Sequence, residues 1–478
     1  MRDQLQELLT LATRKGASYA DLRLGERQSQ PLFLRNGNVQ SLTSSNDQGI
    51  GIRVIVDGGW GFASTPSLEM QDWENTVNEA IAIAKASASC KIKDISLTPL
   101  DPTDGTFAVK VQKDPFQVPL DEMTGLLQAC HEAMIQIPEI KVTTGHILTS
   151  RSQQIFASTE GAWIEQEITQ CGAGIEAYAR GNQDMQRRSW SDYKNAGFEA
   201  VEAMHLVQTA SQLAVDASAL LEAEVCPKGP TDLIMNGAMA ALQVHESCGH
   251  PVELDRVLGS ESTYAGTSFL TPDLYGKQFR YGSEVVNIVA DATIPDAMGS
   301  FFFDDEGVPA QRTPIIDHGI FTNYLTSRET AGKFGLTSNG TMRAVGWMNL
   351  PLVRMTNINL EPGDWTTDEI IKDTKKGVFV FEPKSWSLDD KRMNFHFGSE
   401  LAYEIVDGEI GRLLKNPAYT ALTPEFWGSC DAVAGKGKDE WRVWGMPGCA
   451  KGEPIQVINV GHGAAPARFR NVKVGVGE

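Results

Sequence analysis

At 478 residues the chain is too long for one hydrophobic core, which predicts two or three domains. Its apolar content of 41% and charged content of 22% are those of an ordinary globular protein. A formal net charge of −19 repels phosphate backbones and anionic bilayers, which argues against nucleic-acid and membrane partners, and no apolar run approaches the twenty residues of a membrane span.

The opening stretch MRDQLQELLTLATRKG sets Leu5, Leu8, Leu9 and Ala12 at helical spacing. It mixes acids with bases and lacks the unbroken apolar centre of a secretion signal. The seven cysteines are odd in number and show no pairing in their spacing, which fits a reducing, cytoplasmic setting. Residues 20–65 alternate as strands, with a hairpin signal at Asp57-Gly58-Gly59. Helical periodicity follows over 67–89, with Trp73, Val77, Ala80, Ile81 and Ala84 on one face. Residues 97–118, rich in Pro, Asp and Thr, predict a surface connection. A second helix is predicted over 119–136, then strands over 139–149, 152–158, 162–179 and 183–191, and one long helix over 197–222. These are two helix-plus-antiparallel-strand blocks, about 1–96 and 119–225, without sequence repetition. Their His131, His146 and His205 are isolated and read as core or surface residues.

Cys226-Pro227-Lys228-Gly229-Pro230 breaks the pattern. It divides an N-terminal α+β domain of helices packed on antiparallel strands, 1–225, from a strand-rich C-terminal domain, 226–478. The second part opens with TDLIM as a strand and GAMAALQVHESCG as a helix. Strands follow in SEVVNIVAD, in TPIIDHGIFTNYLTS with its turn at Asp317-His318-Gly319, and in LAYEIVDGEIGRLLK with its turn at Asp407-Gly408. Thr366 and Glu369 have the spacing of a capping box at a further helix. The βαβ alternation of a parallel sheet is missing, so the fold class is α+β with antiparallel pairing. Gly435-Lys436 is no phosphate loop: six residues separate it from Gly428, and Gly437 follows instead of Ser or Thr.

The chemistry concentrates in His245-Glu246-Ser247-Cys248-Gly249-His250. Zinc peptidases commonly carry His-Glu-x-x-His, both histidines on one helical face and the Glu as general base. Here the second histidine is one residue late, and on a regular helix it would point roughly 140° away from the first. A shared metal therefore requires the helix to deform or stop. The reading from residue types is a stop, with Gly249 in a left-handed turn and Pro251 pushing His250 out of the α region. A catalytic zinc needs a third protein ligand, and Cys248, Cys430, Cys449, His462, Glu253 and Asp255 all qualify by type. Cys248 is favoured by proximity, whereas Cys449 sits in the glycine-rich GMPGCAKGEP, suited to a crowded site.

HESCGHPVELD resembles the HExxxHxxExD signature of the TldD/PmbA family, the microcin-processing, modulator-of-gyrase peptidases. YADLRL, NDQGIGIRVIVDGGWGFAST, FDDEGVP, GTMRA, LPLVRMTN and GCAKGEP followed by NVGHGAAPARFRNVKVG extend the similarity over nearly the whole chain. The resemblance is to the metal-binding TldD branch, and Pro251 and Cys248 depart from that branch's usual residues. It implies Zn²⁺ held by His245, His250 and Cys449, with Glu246 catalytic. It also implies a cytoplasmic peptidase for peptides or unfolded segments, working in a homodimer or in a heterodimer with a PmbA-like paralogue. In that frame Glu253 and Asp255 suit partners of the imidazole N–H groups, Arg343 suits a peptide carboxylate, and His462 suits a tetrahedral intermediate. A regulatory or adaptor subunit with structural zinc, or an amidohydrolase for small amides, is compatible with the same residues.

Overall fold

The computed structural model describes residues 1–437 and 440–475. It is α+β and strand-rich in its second part. The first part builds one nine-stranded sheet, not two separate layers. Tyr19–Ser29 pairs on one side with Ser45–Val56 and on the other with Ile140–Ser158, which joins the two predicted blocks edge to edge. Helices Arg2–Arg14 and Met70–Cys90 bury Leu5, Leu8, Val77 and Ala80 against one half of the sheet. Helices Leu120–Met134 and Leu206–Glu222 bury Met123, Leu127, Leu213 and Ala217 against the other half.

Several expectations are corrected by tertiary context. The strands expected over 139–149 and 152–158 are one strand, Ile140–Ser158. Its polar centre Ser150-Arg151-Ser152 stays extended because both neighbouring strands pair with it there. The helix expected over 197–222 is broken: His205 adopts a left-handed conformation at φ 49°, and a new helix starts at Leu206. The 97–118 connection contains an edge strand, Asp104–Ala108, which runs parallel to Trp163–Arg180. Gly229–Met235 also pairs in parallel, with Lys376–Leu388, so the sheets are not purely antiparallel. SEVVNIVAD is a strand only over Ile288–Asp291.

In the second part, Asn394–Val406, Lys376–Leu388, Gly229–Met235, Ala467–Val474 and Ala418–Leu422 pair in succession. Ala418–Leu422 then pairs back onto Asn394–Val406, so these strands close on themselves. The helix expected at 366 starts there, with the reciprocal Thr366 and Glu369 capping box.

The two parts meet across buried charge. Arg53 binds Asp21 at 2.7 Å and Glu306 at 3.2 Å, and Asp305 accepts from Gln154 at 2.8 Å and from the Ala344 amide at 2.7 Å. The acidic run Asp304-Asp305-Glu306 is thus an internal clamp. Beside it Trp347 lies over Gly49 and Gly51, and a Cβ on Gly51 would come within 2.0 Å of the Trp347 carbonyl oxygen.

Candidate metal centre

Strand Gly229–Met235 ends at Asn236, whose side chain caps the next helix by accepting from the Met239 amide at 2.9 Å. That helix, Gly237–Val244, is apolar almost all round because it is buried almost all round. At His245 it neither stops nor continues regularly. Residues His245–Gly249 form a π turn, and the His250 amide donates to the His245 carbonyl five residues back. Such bonding stacks residues five apart on one face, which is the deformation that the motif's extra residue requires.

The expected stop at Gly249 is therefore corrected. Gly249 is right-handed at φ −81°, and His250 stays in the α region at φ −60° and opens a short 3₁₀ turn despite Pro251. Glycine is needed here for space, since a Cβ would lie 2.0 Å from Met355 Sδ. The widened turn is held from outside: the Tyr281 hydroxyl donates to the Ser247 carbonyl, and Trp427 Nε1 donates to Ser247 Oγ at 2.8 Å.

His245, His250 and Cys449 converge, with one ligand atom from each lying within 4.8 Å of the others. His250 Nε2 is 3.9 Å from Cys449 Sγ. Cys449 comes from the two-stranded ribbon Arg442–Lys451 and Gln456–Ala464, opposite Ile458. All three are buried. Burial would push the Cys449 thiol up, but the imidazoles of His245 and His250 hold it well below its ordinary value.

The ring tautomers follow from the hydrogen bonds. His462 Nδ1 donates to the Ile358 carbonyl at 3.0 Å, which leaves its Nε2 as an acceptor for His245 Nδ1 at 2.7 Å. His250 Nδ1 donates to Glu253 Oε2 at 3.0 Å. Nε2 is thereby the ring atom that each motif histidine has left for a metal. Burial and the neighbouring His245 keep His462 well below the ordinary imidazole value, as its acceptor role requires. Glu253, fully buried, would be pushed up by burial, but Lys451 and His250 hold it below the usual carboxylate range. Lys451 Nζ lies 3.5 Å from Glu253 Oε2 and 2.6 Å from Asp255 Oδ1.

The other sequence-selected residues fall elsewhere. Asp255 touches neither motif imidazole; it binds Lys451 and the Arg256 and Val353 amides. His462 has both ring nitrogens engaged, so it faces His245 and not a reacting carbonyl. Arg343 donates to the Met355 and Asn459 carbonyls and lines a separate cleft of about 200 Å³. Cys248 is buried beside Ser247 and Tyr281 with its thiol pushed up to about 12 by burial, and Cys430 lies in the core. Sequence reasoning missed Lys451 and Arg392. The GCAKGEP stretch held a signal for Lys451, because Cys449 and Lys451 alternate onto one buried face of a strand.

A cleft of about 750 Å³ reaches His245, Glu246, His250 and Cys449. Glu246 is 7% exposed there, and its Oε2 finds no hydrogen-bond partner among the described residues. Burial would push its carboxyl up, but His245, His250 and Arg392 bring it below the ordinary value, so it is a carboxylate at neutral pH.

Sequence profiles of the PmbA/TldA metallopeptidase family match the chain over three stretches: domain 1 at residues 20–84, the central domain at 113–217 and the C-terminal domain at 228–475. A metalloprotease of Methanocaldococcus jannaschii is 32% identical over 417 residues, covering 87% of this chain and 89% of that protein. A zinc metalloprotease TldD homolog of Saccharolobus solfataricus is 22% identical over 463 residues, covering 96% and 97%. TldE from Thermococcus kodakarensis has a similar fold, with a TM-score of 0.79, 17% identity and coverage of 99% of this chain and 100% of that one. Among the described residues, no helix is long and apolar enough to cross a membrane.

Proposed function

Since this chain belongs to the PmbA/TldD metallopeptidase family, we propose that it hydrolyses peptides or unfolded polypeptide segments with Zn²⁺ held by His245, His250 and Cys449 and with Glu246 as general base. The observation that carries this reading is the pair of locked tautomers. With each Nδ1 committed to its own partner, the two Nε2 atoms and the Cys449 thiolate are the donors left for one metal, a set that favours zinc over magnesium or calcium. When bound there, zinc supplies a positive charge that acidifies water to a pKa of about 7 and polarises a carbonyl.

The chain's own residues do the rest. Glu246, unprotonated and open to the cleft, takes the proton of the attacking water and hands it to the departing amine. His462 and Glu253 hold the imidazoles in the tautomer that binds metal, and Lys451 keeps Glu253 ionised to do so. A structural zinc is normally enclosed by four protein ligands; here three donors converge beside a cleft, which favours catalysis over an adaptor role. The reading extends to a division of the chain near residue 226 and to assembly with a second chain of this fold, a copy or a paralogue. Light scattering that gives the mass of one chain across a wide concentration range would count against assembly.

The test is Glu246→Gln. It should retain zinc and the fold while losing about 10²- to 10⁴-fold in turnover on an unfolded-peptide library read by mass spectrometry. Loss of zinc in that variant would show the assigned role to be wrong.

A further inference from the structure

One wall of the cleft is the hairpin of Lys376–Leu388 and Asn394–Val406, whose tip is hydrogen-bonded to three neighbouring segments. Arg256 Nη2 donates to the Asp390 carbonyl at 3.1 Å, the Phe269 amide to the Lys391 carbonyl at 3.0 Å, and Thr423 Oγ1 to the Arg392 carbonyl at 2.7 Å. Within this frame Arg392 adopts a left-handed conformation at φ 63°, which costs a non-glycine residue of order 1 kcal/mol or more. The turn thus fixes where the guanidinium starts from.

That guanidinium is underused. Its Nη1 stands 3.5 Å from Glu246 Oε2, beyond the roughly 2.7–2.9 Å of a formed charge-assisted hydrogen bond. Arg392 Nε has no hydrogen-bond partner among the described residues, and neither does Glu246 Oε2. Of the other cations lining the cleft, Arg187 is bound by Glu400 at 2.9 Å, whereas Lys384 hydrogen-bonds the side-chain oxygen of Asn416, at 3.1 Å. In a chain of net charge −19, the cleft therefore presents two cations that have no hydrogen-bonded carboxylate among the described residues.

We infer that Arg392 is a specificity-determining residue that binds a substrate carboxylate on the leaving-group side of the scissile bond. The inference rests on Glu246 being the proton carrier. The departing amine must come within hydrogen-bond reach of Glu246 to receive its proton. A carboxylate on that same residue lies roughly 3 Å from its own nitrogen by standard bond lengths, or about one bond further if it belongs to an Asp side chain. Either position falls to the guanidinium that stands beside Glu246. The shared chemistry is a carboxylate next to the released amine, supplied by the chain terminus or by an acidic side chain.

The test measures binding separately from turnover. Zinc-loaded Glu246→Gln protein is titrated with N-terminally labelled hexapeptides: one ending in a free acid, its C-terminal amide, and amides carrying Asp or Asn at successive positions. The carboxylate forms should bind roughly 10- to 100-fold tighter than their neutral counterparts. Arg392→Gln in the same background should erase that ratio without changing the affinity of the neutral peptides, and Arg392→Lys should restore part of it. With Glu246 intact, Arg392→Gln should raise KM for carboxylate substrates more than for their neutral counterparts. A preference confined to the free acid identifies the chain terminus as the source, and one confined to an Asp peptide identifies the side chain. Equal binding of charged and neutral peptides by the parent protein, or a loss in Arg392→Gln that affects all peptides alike, would overturn the inference. Product formation by Glu246→Gln itself would overturn the base assignment instead, and mass spectra report that independently of the binding ratio.

Discussion

Lys451→Met isolates the charge that stands behind the proposed metal site. Lys451 is 1% exposed, and its Nζ meets Asp255 Oδ1 and the Val353 carbonyl at 2.6 Å each and Glu253 Oε2 at 3.5 Å. Removing it leaves two carboxylates facing an apolar side chain. Asp255 keeps the Arg256 and Val353 amides, so the group that loses most is Glu253, fully buried and left with His250 Nδ1 and the charge of Arg354. Breaking a buried pair in this way costs about 3–5 kcal/mol, a large part of a typical 5–15 kcal/mol stability. Glu253 then takes up a proton more readily and accepts less well from His250, so zinc affinity should fall about 10- to 100-fold. The loss should be greater at pH 6 than at pH 8, because rising pH returns the charge to Glu253. Denaturant unfolding of the metal-free protein and chelator competition at the two pH values measure both effects. Stability within about 0.5 kcal/mol of the parent, together with unchanged zinc affinity, would refute the reasoning.

Purified protein should hold about one zinc per chain; Cys449→Ser should lose it and Cys248→Ser should keep it, as metal analysis of the two variants will show. In the metal-free protein burial lowers His250 but Glu253 and Cys449 raise it to about 9, from 6.5, so its contribution to stability is complete below pH 6.5 and is lost as pH rises through 9. Zinc must displace that proton; affinity should therefore increase from pH 6 to 8 with release of about one proton, read by calorimetry in two buffers, and a pH-independent affinity would contradict it. Gly249→Ala forces Met355 aside and should cost about 1–3 kcal/mol while weakening zinc binding, measured by unfolding and chelator competition.

Periodicity and turn chemistry made much of the fold legible, because the residues concerned act locally. Asp57-Gly58 turns a hairpin, and Thr366 with Glu369 caps a helix, as each residue type predicts. What stayed hidden depends on partners distant in the chain. The extended run through Ser150-Arg151-Ser152 exists only because strands lie on both sides. The shape of the motif was misread for a similar reason. Gly249 and Pro251 signal a helix stop, but Tyr281, Trp427 and Met355 surround the turn and let it widen instead. Resemblance selected His245, His250, Cys449 and Glu246, and spacing alone left Cys248 as a competitor. The position of the ribbon that carries Cys449 could not be read from local pattern, since nothing nearby in the chain says which loop folds over the motif helix.

The closed set of strands also has a consequence for biosynthesis. Gly229–Met235, which leads into the proposed metal-binding turn, is completed by Ala467–Val474, with Asp232 and Arg470 bound to each other 238 residues apart. His250 and Cys449 are separated by 199 residues. A nascent chain that has exposed the histidines alone has neither the third donor nor the strand that closes the set around them. On the proposed function, hydrolysis therefore awaits the meeting of the two distant segments, so a chain still on the ribosome would not act on itself or on its unfolded neighbours.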